Sequence, residues 1–323
     1  MNAVIPQIAK LLHEHYVFPE VAAELGDLLA ARAAEGRYEG AGQARLAELV
    51  TADLQSVNGD LHLRLKHSEA ELEEAHDDEE TQLRQMAEWA GLACGGVAAA
   101  QRLPGNVGLL KIAPLLFPPA VAGDQVTAAF HLLASTDALI LDLRECLGGD
   151  PNMVAWAYGF LTGPEPVQLT GMAHRDPADL HQLWSSHVPG PKFGPDKPVW
   201  VLTSAITFSG GEALSFDLQE RGRAAVVGER TRGGAHPRQG FKVDTHLEVT
   251  IPTARSVSPI SGGNWEGTGI APDVPVAAAD ALPAAHRLAL EAVLALGADG
   301  FRAQVAAEAR QALADLEHAA ADS

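Results

Sequence analysis

Features that would assign this chain to a particular class of protein are scarce. Two cysteines, Cys94 and Cys146, occur in 323 residues, and neither belongs to a CxxC pair or to a Cys/His cluster with zinc-ligand spacing. Two free thiols are typical of a protein in a reducing compartment, and a single disulfide between them is the alternative. The sequence therefore predicts neither a zinc site nor a disulfide scaffold.

Positive charge is also scarce. Lys and Arg number 23 against 42 Asp and Glu, which gives a net charge of −19. A nucleic-acid partner is therefore not expected, because affinity for phosphates comes from Lys and Arg. The acidic stretch 69–85 is predicted to be a solvated helix face or linker. It lacks the glycine-punctuated spacing of a calcium loop, and we expect no metal or organic cofactor.

Long apolar runs are missing as well. No stretch approaches the ~18 apolar residues of a membrane span, so none is expected. The N-terminus has no basic region followed by an apolar run, as a secretory signal would. The sequence therefore predicts a cytoplasmic protein, and an exported protein with a trimmed signal would look the same.

Apolar residues nevertheless make up 47% of the chain, enough for a sizeable core. From residue 106 onward, apolar runs alternate with helical patterns, which predicts an α/β fold with a largely parallel sheet. The predicted strands are 107–112, 138–143, 199–203 and 224–228, and the predicted helices are 121–133, 153–161 and 210–221. Segment 170–198 is predicted to be a long loop or lid, and segment 246–257 to form paired strands.

The chain is predicted to divide into four parts. They are an N-terminal helical subdomain (1–75), an acidic helical linker (76–104), an α/β core (105–280) and C-terminal helices (281–323). The Ala-rich C-terminal helices could pack on a neighbouring copy, so a homo-oligomer is one prediction.

Ser209 is the first candidate catalytic residue. An apolar strand and a short loop precede it, and a helix is predicted to begin near it. Unpaired amides and the helix dipole favour an anion at such a position. Ser209 could attack a carbonyl while the amide of Gly210 cradles the oxyanion. The alternative is that Ser209 only caps the helix.

A second candidate is the glycine pair Gly148 and Gly149, which follows the predicted strand 138–143. Amides at the carboxyl end of a strand could supply a second oxyanion donor. The alternative is a plain turn between a strand and a helix.

The remaining candidates are ionisable. His62 follows a turn and could serve as a general base, but His67, His236 and His246 are rivals among 13 histidines. Glu266 precedes a Gly-rich turn and could orient the histidine. Alternatively, it is a surface turn residue.

Taken in order, these motifs resemble those of the tail-specific (C-terminal processing) peptidases, the tricorn-core peptidases and the interphotoreceptor retinoid-binding protein modules. The resemblance extends over most of the chain, and the segments that carry it are 16–20 (YVFPE), 59–62 (GDLH), 141–149 (LDLRECLGG), 207–212 (TFSGGE), 227–235 (VGERTRGGA) and 266–273 (EGTGIAPD). The resemblance implies a crotonase-like (ClpP-type) α/β core with an N-terminal helical subdomain. It also implies that Ser209 is the nucleophile.

Two branches of this family use different bases. The processing branch has a lysine some two dozen residues after the serine, whereas here none lies between Ser209 and Lys242. The tricorn-like branch uses an early histidine and a late glutamate, which map to His62 and Glu266. We therefore expect a Ser-His-Glu site. The serine that precedes the histidine in tricorn-like enzymes is Leu61 here, and Asp60 is a candidate substitute.

Many members of the family also carry a PDZ domain between the histidine motif and the core. Only about forty residues separate His62 from Asn106, and a compact domain is typically larger than ~50 residues. No PDZ domain is therefore expected, and specificity for substrate tails is not implied.

Two functions remain in competition. The first is a serine-type peptidase acting on a peptide or protein substrate. The alternative is a non-catalytic binding module for a lipophilic small molecule, such as a retinoid or fatty acid, on the same fold. An interaction scaffold with a degenerate site is a third hypothesis. The filled positions of the nucleophile, histidine and glutamate favour the peptidase.

Overall fold

The computed structural model describes residues 3–72, 79–176 and 178–321. Contacts group the chain into two compact units, each made of segments that are distant in sequence. The first unit consists of Met1–Gln82, Thr170–Gln182 and Gly233–Gly267, and the second of Leu83–Leu169, Leu183–Arg232 and Thr268–Ser323. The four-part division predicted from the sequence stays a prediction.

The helices and strands are numbered along the chain. The helices are α1 (Val4–His15), α2 (Pro19–Ala34), α3 (Gln43–Gln55), α4 (Glu79–Leu92), α5 (Pro119–Leu133), α6 (Pro151–Phe160), α7 (Gly210–Glu220), α8 (Ala281–Ala295) and α9 (Arg302–Ala321). The strands are β1 (Arg64–His67), β2 (Val97–Leu103), β3 (Val107–Ile112), β4 (Ala138–Asp142), β5 (Gln168–His174), β6 (Leu180–Trp184), β7 (Val199–Thr203), β8 (Ala225–Gly228), β9 (Arg238–Asp244), β10 (Leu247–Pro252), β11 (Ala254–Val257) and β12 (Val274–Pro275). Within the described ranges, no helix is both long enough and apolar enough to cross a membrane.

The core of the first unit lies between helices and a small sheet. Strands β1, β10 and β9 pair in that order and antiparallel. Apolar residues of α1, α2 and α3, such as Ile8, Leu25 and Val50, pack with Val249 and Ile251 of β10. Elsewhere in this unit, β11 pairs antiparallel with β5.

The second unit is built on a sheet with strand order β12-β8-β7-β4-β3-β2. All neighbours are parallel except the edge pair β2 and β3. The two faces of β4 explain its continuous apolar sequence. Leu139 and Leu141 pack with residues of α5, α6 and α7, whereas Ala138 and Ile140 pack with residues of α8 and α9. This mixed α/β architecture agrees with the predicted fold class.

Most predicted elements of the α/β core are confirmed, and several others are corrected. The predicted loop 170–198 contains most of β5 and β6, whose polar residues hide a strand pattern. Strands do occur in 246–257, but β10 pairs with β1 and β9 whereas β11 pairs with β5. Strand β1, which follows the turn at His62, begins at Arg64. Residues 73–78 of the acidic stretch lie outside the described residues.

Candidate active site

The residues predicted to carry chemistry divide between the two units. Ser209, Gly210, Gly148 and Gly149 belong to the second unit. His62 and Glu266 belong to the first unit.

The loop between β7 and α7 positions Ser209. Thr207 donates its hydroxyl to the carbonyl oxygen of Leu143 at 2.9 Å, and the amide of Phe208 donates to the carbonyl oxygen of Cys146 at 3.1 Å. Both acceptors lie in the loop that follows β4. The serine is therefore tied to the glycine loop of the neighbouring parallel strand.

The backbone of Ser209 is strained. Its φ of 50° and ψ of −116° place a non-glycine residue at positive φ, just before the first residue of α7. An ordinary helix cap has extended dihedral angles, and a residue in a sparsely populated region costs on the order of 1–3 kcal/mol. Such strain is typical of a nucleophile on a sharp turn from strand to helix. A purely capping role would not require it.

A buried carboxylate holds this turn. The amide of Ser209 donates to Glu212 Oε2 at 2.8 Å, and the hydroxyl of Thr231 donates to Glu212 Oε1 at 2.6 Å. Glu212 is fully buried. This role of Glu212 was not predicted, although a serine followed three residues later by glutamate is the signature of a capping box.

The glycine loop approaches Ser209 closely. Gly148 and Gly149 have φ angles of 134° and 141°, which side chains rarely adopt. A methyl group on Gly148 would lie 3.1 Å from the Cβ of Ser209, and one on Gly210 would lie 2.8 Å from the amide nitrogen of Gly149. These backbones can come so near to one another only because three residues lack a side chain.

The amides of this region can serve as oxyanion donors. Gly210 is the first residue of α7, so its amide has no acceptor within the helix.

Burial raises the pKa of the neighbouring Cys146 thiol to about 11, so this thiol is not a nucleophile at neutral pH. Ser209 is therefore the better-placed nucleophile of the two.

In the first unit, His62 lies in the turn that precedes β1. Its amide donates to Asp60 Oδ1 at 3.0 Å, and its carbonyl oxygen accepts from the hydroxyl of Thr250 at 2.6 Å. Burial lowers the pKa of the His62 imidazole to about 3, against the opposing effect of Asp60. The ring is therefore neutral at neutral pH, which is the form that accepts a proton.

Glu266 is held by main-chain contacts. Its amide donates to Asn264 Oδ1 at 2.9 Å, and its carboxylate accepts from the amide of Ala235. Three side-chain atoms lie within 4.8 Å of one another: a carboxylate oxygen of Asp60, a ring nitrogen of His62 and a carboxylate oxygen of Glu266. The structure thus brings His62 and Glu266 together, with Asp60 beside them.

Two further side chains complete the cluster. His236 Nδ1 lies 2.7 Å from Asp60 Oδ2 and 3.6 Å from Glu266 Oε2. The hydroxyl of Tyr16 donates to Asp60 Oδ2 at 3.0 Å. The sequence predicts His236 only as a rival base and predicts no role for Tyr16.

The other rival histidines, His67 and His246, lie elsewhere in the first unit. Their ring centroids are 6.3 Å apart, and His246 Nδ1 contacts the carbonyl oxygen of Ser68 at 3.1 Å. They are not part of the cluster around His62.

Within the described residues, Asp60, His62 and Glu266 also form a group that could hold a divalent cation. Their carboxylates already accept hydrogen bonds from Tyr16 and from main-chain amides. These contacts help to hold the two carboxylates in place.

The fold is shared with solved structures of known proteins. The chain is similar to a protein from Parabacteroides merdae, with a TM-score of 0.60 and 16% identity over 93% of this chain and 98% of that one. It is similar to the photosystem II D1 C-terminal processing protease, with a TM-score of 0.51 and 15% identity over 85% and 92%. The tricorn protease gives a TM-score of 0.54 and 12% identity over 88% of this chain and 35% of that one. Identities this low define the class of fold alone, a mixed α/β fold that processing proteases share.

The sequence itself defines the family. The model for peptidase family S41 matches residues 106–276, which is more than half of the chain. A model for the N-terminal domain of this family in eukaryotic IRBP matches residues 1–90. The chain therefore belongs to peptidase family S41, which confirms the resemblance drawn from the ordered motifs.

Proposed function

We propose that this protein is a serine-type endopeptidase that uses Ser209 as its nucleophile. The observation that carries the proposal is the strained backbone of Ser209 at the start of α7, in contact with the glycine loop. Membership of family S41 supports the same conclusion. Its substrates are peptides or proteins.

In the proposed reaction, the Ser209 hydroxyl oxygen attacks the carbonyl carbon of the scissile peptide bond. His62 takes the hydroxyl proton as this bond forms and later donates it to the leaving amine. The oxyanion of the tetrahedral intermediate accepts hydrogen bonds from the amides of Gly210 and of Gly148 or Gly149. Glu266 stabilises the charged imidazolium. Water then hydrolyses the acyl-enzyme by the same steps.

The proposal also includes two details of the fold that the sequence predicts. We propose that the core is crotonase-like and works without a PDZ domain, so that substrates bind along the core itself. The lipophilic-ligand alternative, the homo-oligomer and the cytoplasmic location stay predictions.

Peptide hydrolysis tests the proposal. A diverse library of quenched fluorescent peptides should be cleaved by the wild type and not by Ser209→Ala. The matched control is Ser215→Ala, which removes another buried serine of α7 that donates to the carbonyl oxygen of Gly211 at 2.8 Å. Activity equal to wild type in Ser209→Ala, or its loss in both variants, would count against the assignment.

A further inference from the structure

The cluster in the first unit contains two carboxylates in a confined space. A carboxylate oxygen of Asp60 and one of Glu266 lie within 4.8 Å of each other, and Asp60 is almost completely buried. Two carboxylates this close, Asp60 buried and Glu266 half-buried, disfavour each other's ionisation unless a hydrogen-bond donor or a positive charge lies near them. Glu266 can support a base only if its own carboxylate stays ionised and correctly placed.

His62 supplies no positive charge for this compensation. Burial keeps its ring neutral at neutral pH, as the lowered pKa indicates. The Tyr16 hydroxyl donates to Asp60, and burial raises the pKa of this tyrosine, so that it remains a neutral donor. A second histidine, His236, also lies beside both acids.

His236 contacts both acids through one ring nitrogen. Its Nδ1 is 2.7 Å from Asp60 Oδ2 and 3.6 Å from Glu266 Oε2, and the side chain is 6% exposed. A contact of 2.7 Å between an imidazole nitrogen and an ionised carboxylate requires a hydrogen on that nitrogen. The edge of the Phe18 ring, with centroids 5.3 Å apart, also packs against the imidazole.

We propose that His236 is a positioning residue of the active site, whose Nδ1 is hydrogen-bonded to Asp60 and lies beside Glu266, so that it holds Glu266 in place for His62. This inference rests on the proposed role of His62 as the base. It also explains how a site with Leu61 before its histidine keeps the acid and the base together. The ionisable groups that contact His236 are Asp60 after α3 and Glu266 after β11. Those that act on the neighbouring His62 are Asp60, His236, Arg64 of β1 and Arg238 of β9, and Tyr16 after α1 contacts Asp60.

Two substitutions separate positioning from general stability. His236→Leu removes the donor and should lower kcat about 10- to 100-fold with little change in KM, as the loss of an outer-shell partner commonly does. His236→Asn keeps an amide N–H near the position of Nδ1 and should restore most of the lost rate. The control is His246→Leu, which removes a histidine of the same unit that lies outside the cluster and should retain wild-type activity.

The second measurement does not depend on turnover. In ¹⁵N-histidine NMR of the inactive Ser209→Ala protein, His236→Leu should raise the pKa of His62, because the electrostatic effect of His236 lowers it. His246→Leu should leave the His62 titration unchanged. This arm reports on the cluster even if His236→Leu is less stable or the peptidase proposal fails.

The outcomes are distinct. Loss of rate in His236→Leu, recovery in His236→Asn and a shifted His62 titration would support the inference. Ser209-dependent cleavage that is equally fast in His236→Leu and His246→Leu, with an unmoved His62 titration, would overturn it. Absence of Ser209-dependent cleavage in the wild type would instead contradict the proposed function.

Discussion

In the second unit the candidate site is made mainly of main-chain atoms, whereas in the first unit it is made of ionisable side chains. Ser209 is presented by a strained turn, and the donors beside it are amides of Gly148, Gly149 and Gly210. Around His62, by contrast, two acids, a second histidine and a tyrosine contact one another.

This difference indicates which changes should inactivate each of the two parts of the candidate site. A site built from backbone depends on close approach, so added atoms should damage it at every pH. A site built from buried charges depends on protonation, so isosteric changes of charge and shifts of pH should damage it while the backbone stays in place. The predictions below separate these two sensitivities.

The largest effect is expected from Gly149→Ala. A methyl group there would lie 2.2 Å from the carbonyl oxygen of Leu116, and a φ of 141° is strained for alanine. The glycine loop must therefore shift, and losing one oxyanion donor typically costs about 10²–10³-fold in kcat.

The control for this change is Gly163→Ala in the same unit. A methyl group on Gly163 meets no atom within 4 Å. Steady-state kinetics over a range of pH should show a uniform loss in Gly149→Ala and near wild-type rates in Gly163→Ala. Equal rates in the two variants would contradict a role for this loop.

An intermediate effect is expected on stability at low pH. The folded pKa of His62 is lowered to about 3, whereas an unfolded histidine has a pKa of about 6.5. Between these values the unfolded chain binds a proton that the native state does not, so the contribution of His62 is intact above pH ~6.5 and is lost as the pH falls toward 3. The slope contributed by one such group is at most ~1.4 kcal/mol per pH unit.

Urea unfolding from pH 4 to pH 7 measures this slope. The slope of unfolding free energy against pH should become shallower in His62→Gln, because glutamine does not titrate. The exposed residue His13 provides the control, because His13→Gln should leave the slope of the wild type unchanged. A wild-type slope in His62→Gln would show that another group carries the dependence on pH.

The smallest effect is expected from replacing Tyr16, and Tyr38 of the same unit serves as the comparison. Tyr16 donates to Asp60 at 3.0 Å and Tyr38 donates to Asp53 at 2.9 Å, and both side chains are buried. Replacing either with phenylalanine should cost about 1 kcal/mol of unfolding free energy. Only Tyr16→Phe should also lower kcat, by a factor of about 2–10, roughly what a change of ~1 kcal/mol represents.

Denaturant midpoints and steady-state kinetics on both proteins measure this difference. If Tyr38→Phe lowered kcat as much as Tyr16→Phe, the effect would reflect stability alone and not the cluster.

Much of the α/β core could be predicted because its signals are local. The apolar run of β4 indicates burial on both faces, and the sequences around Ser209 and Gly148 indicate turns at the ends of strands. Strand β2 was missed because its Ala-rich sequence has no strand pattern, and only its pairing with β3 makes it a strand.

The polar cluster was only partly predictable. The order of family motifs predicted His62 and Glu266, but the contact between His236 and Asp60 joins residues 176 positions apart. No local pattern marks such a pair, since its physical basis is the mutual compensation of buried groups after folding. The strain at Ser209 was likewise invisible, because composition does not specify a dihedral angle.

Covalent labelling with a fluorophosphonate probe, followed by mass spectrometry of the digested protein, tests the central claim most directly. The account predicts an adduct on Ser209 in the wild type, no adduct at any site in Ser209→Ala, and labelling slowed by about 10²-fold or more in His62→Gln. An adduct on another residue, or equal labelling of wild type and Ser209→Ala, would contradict it.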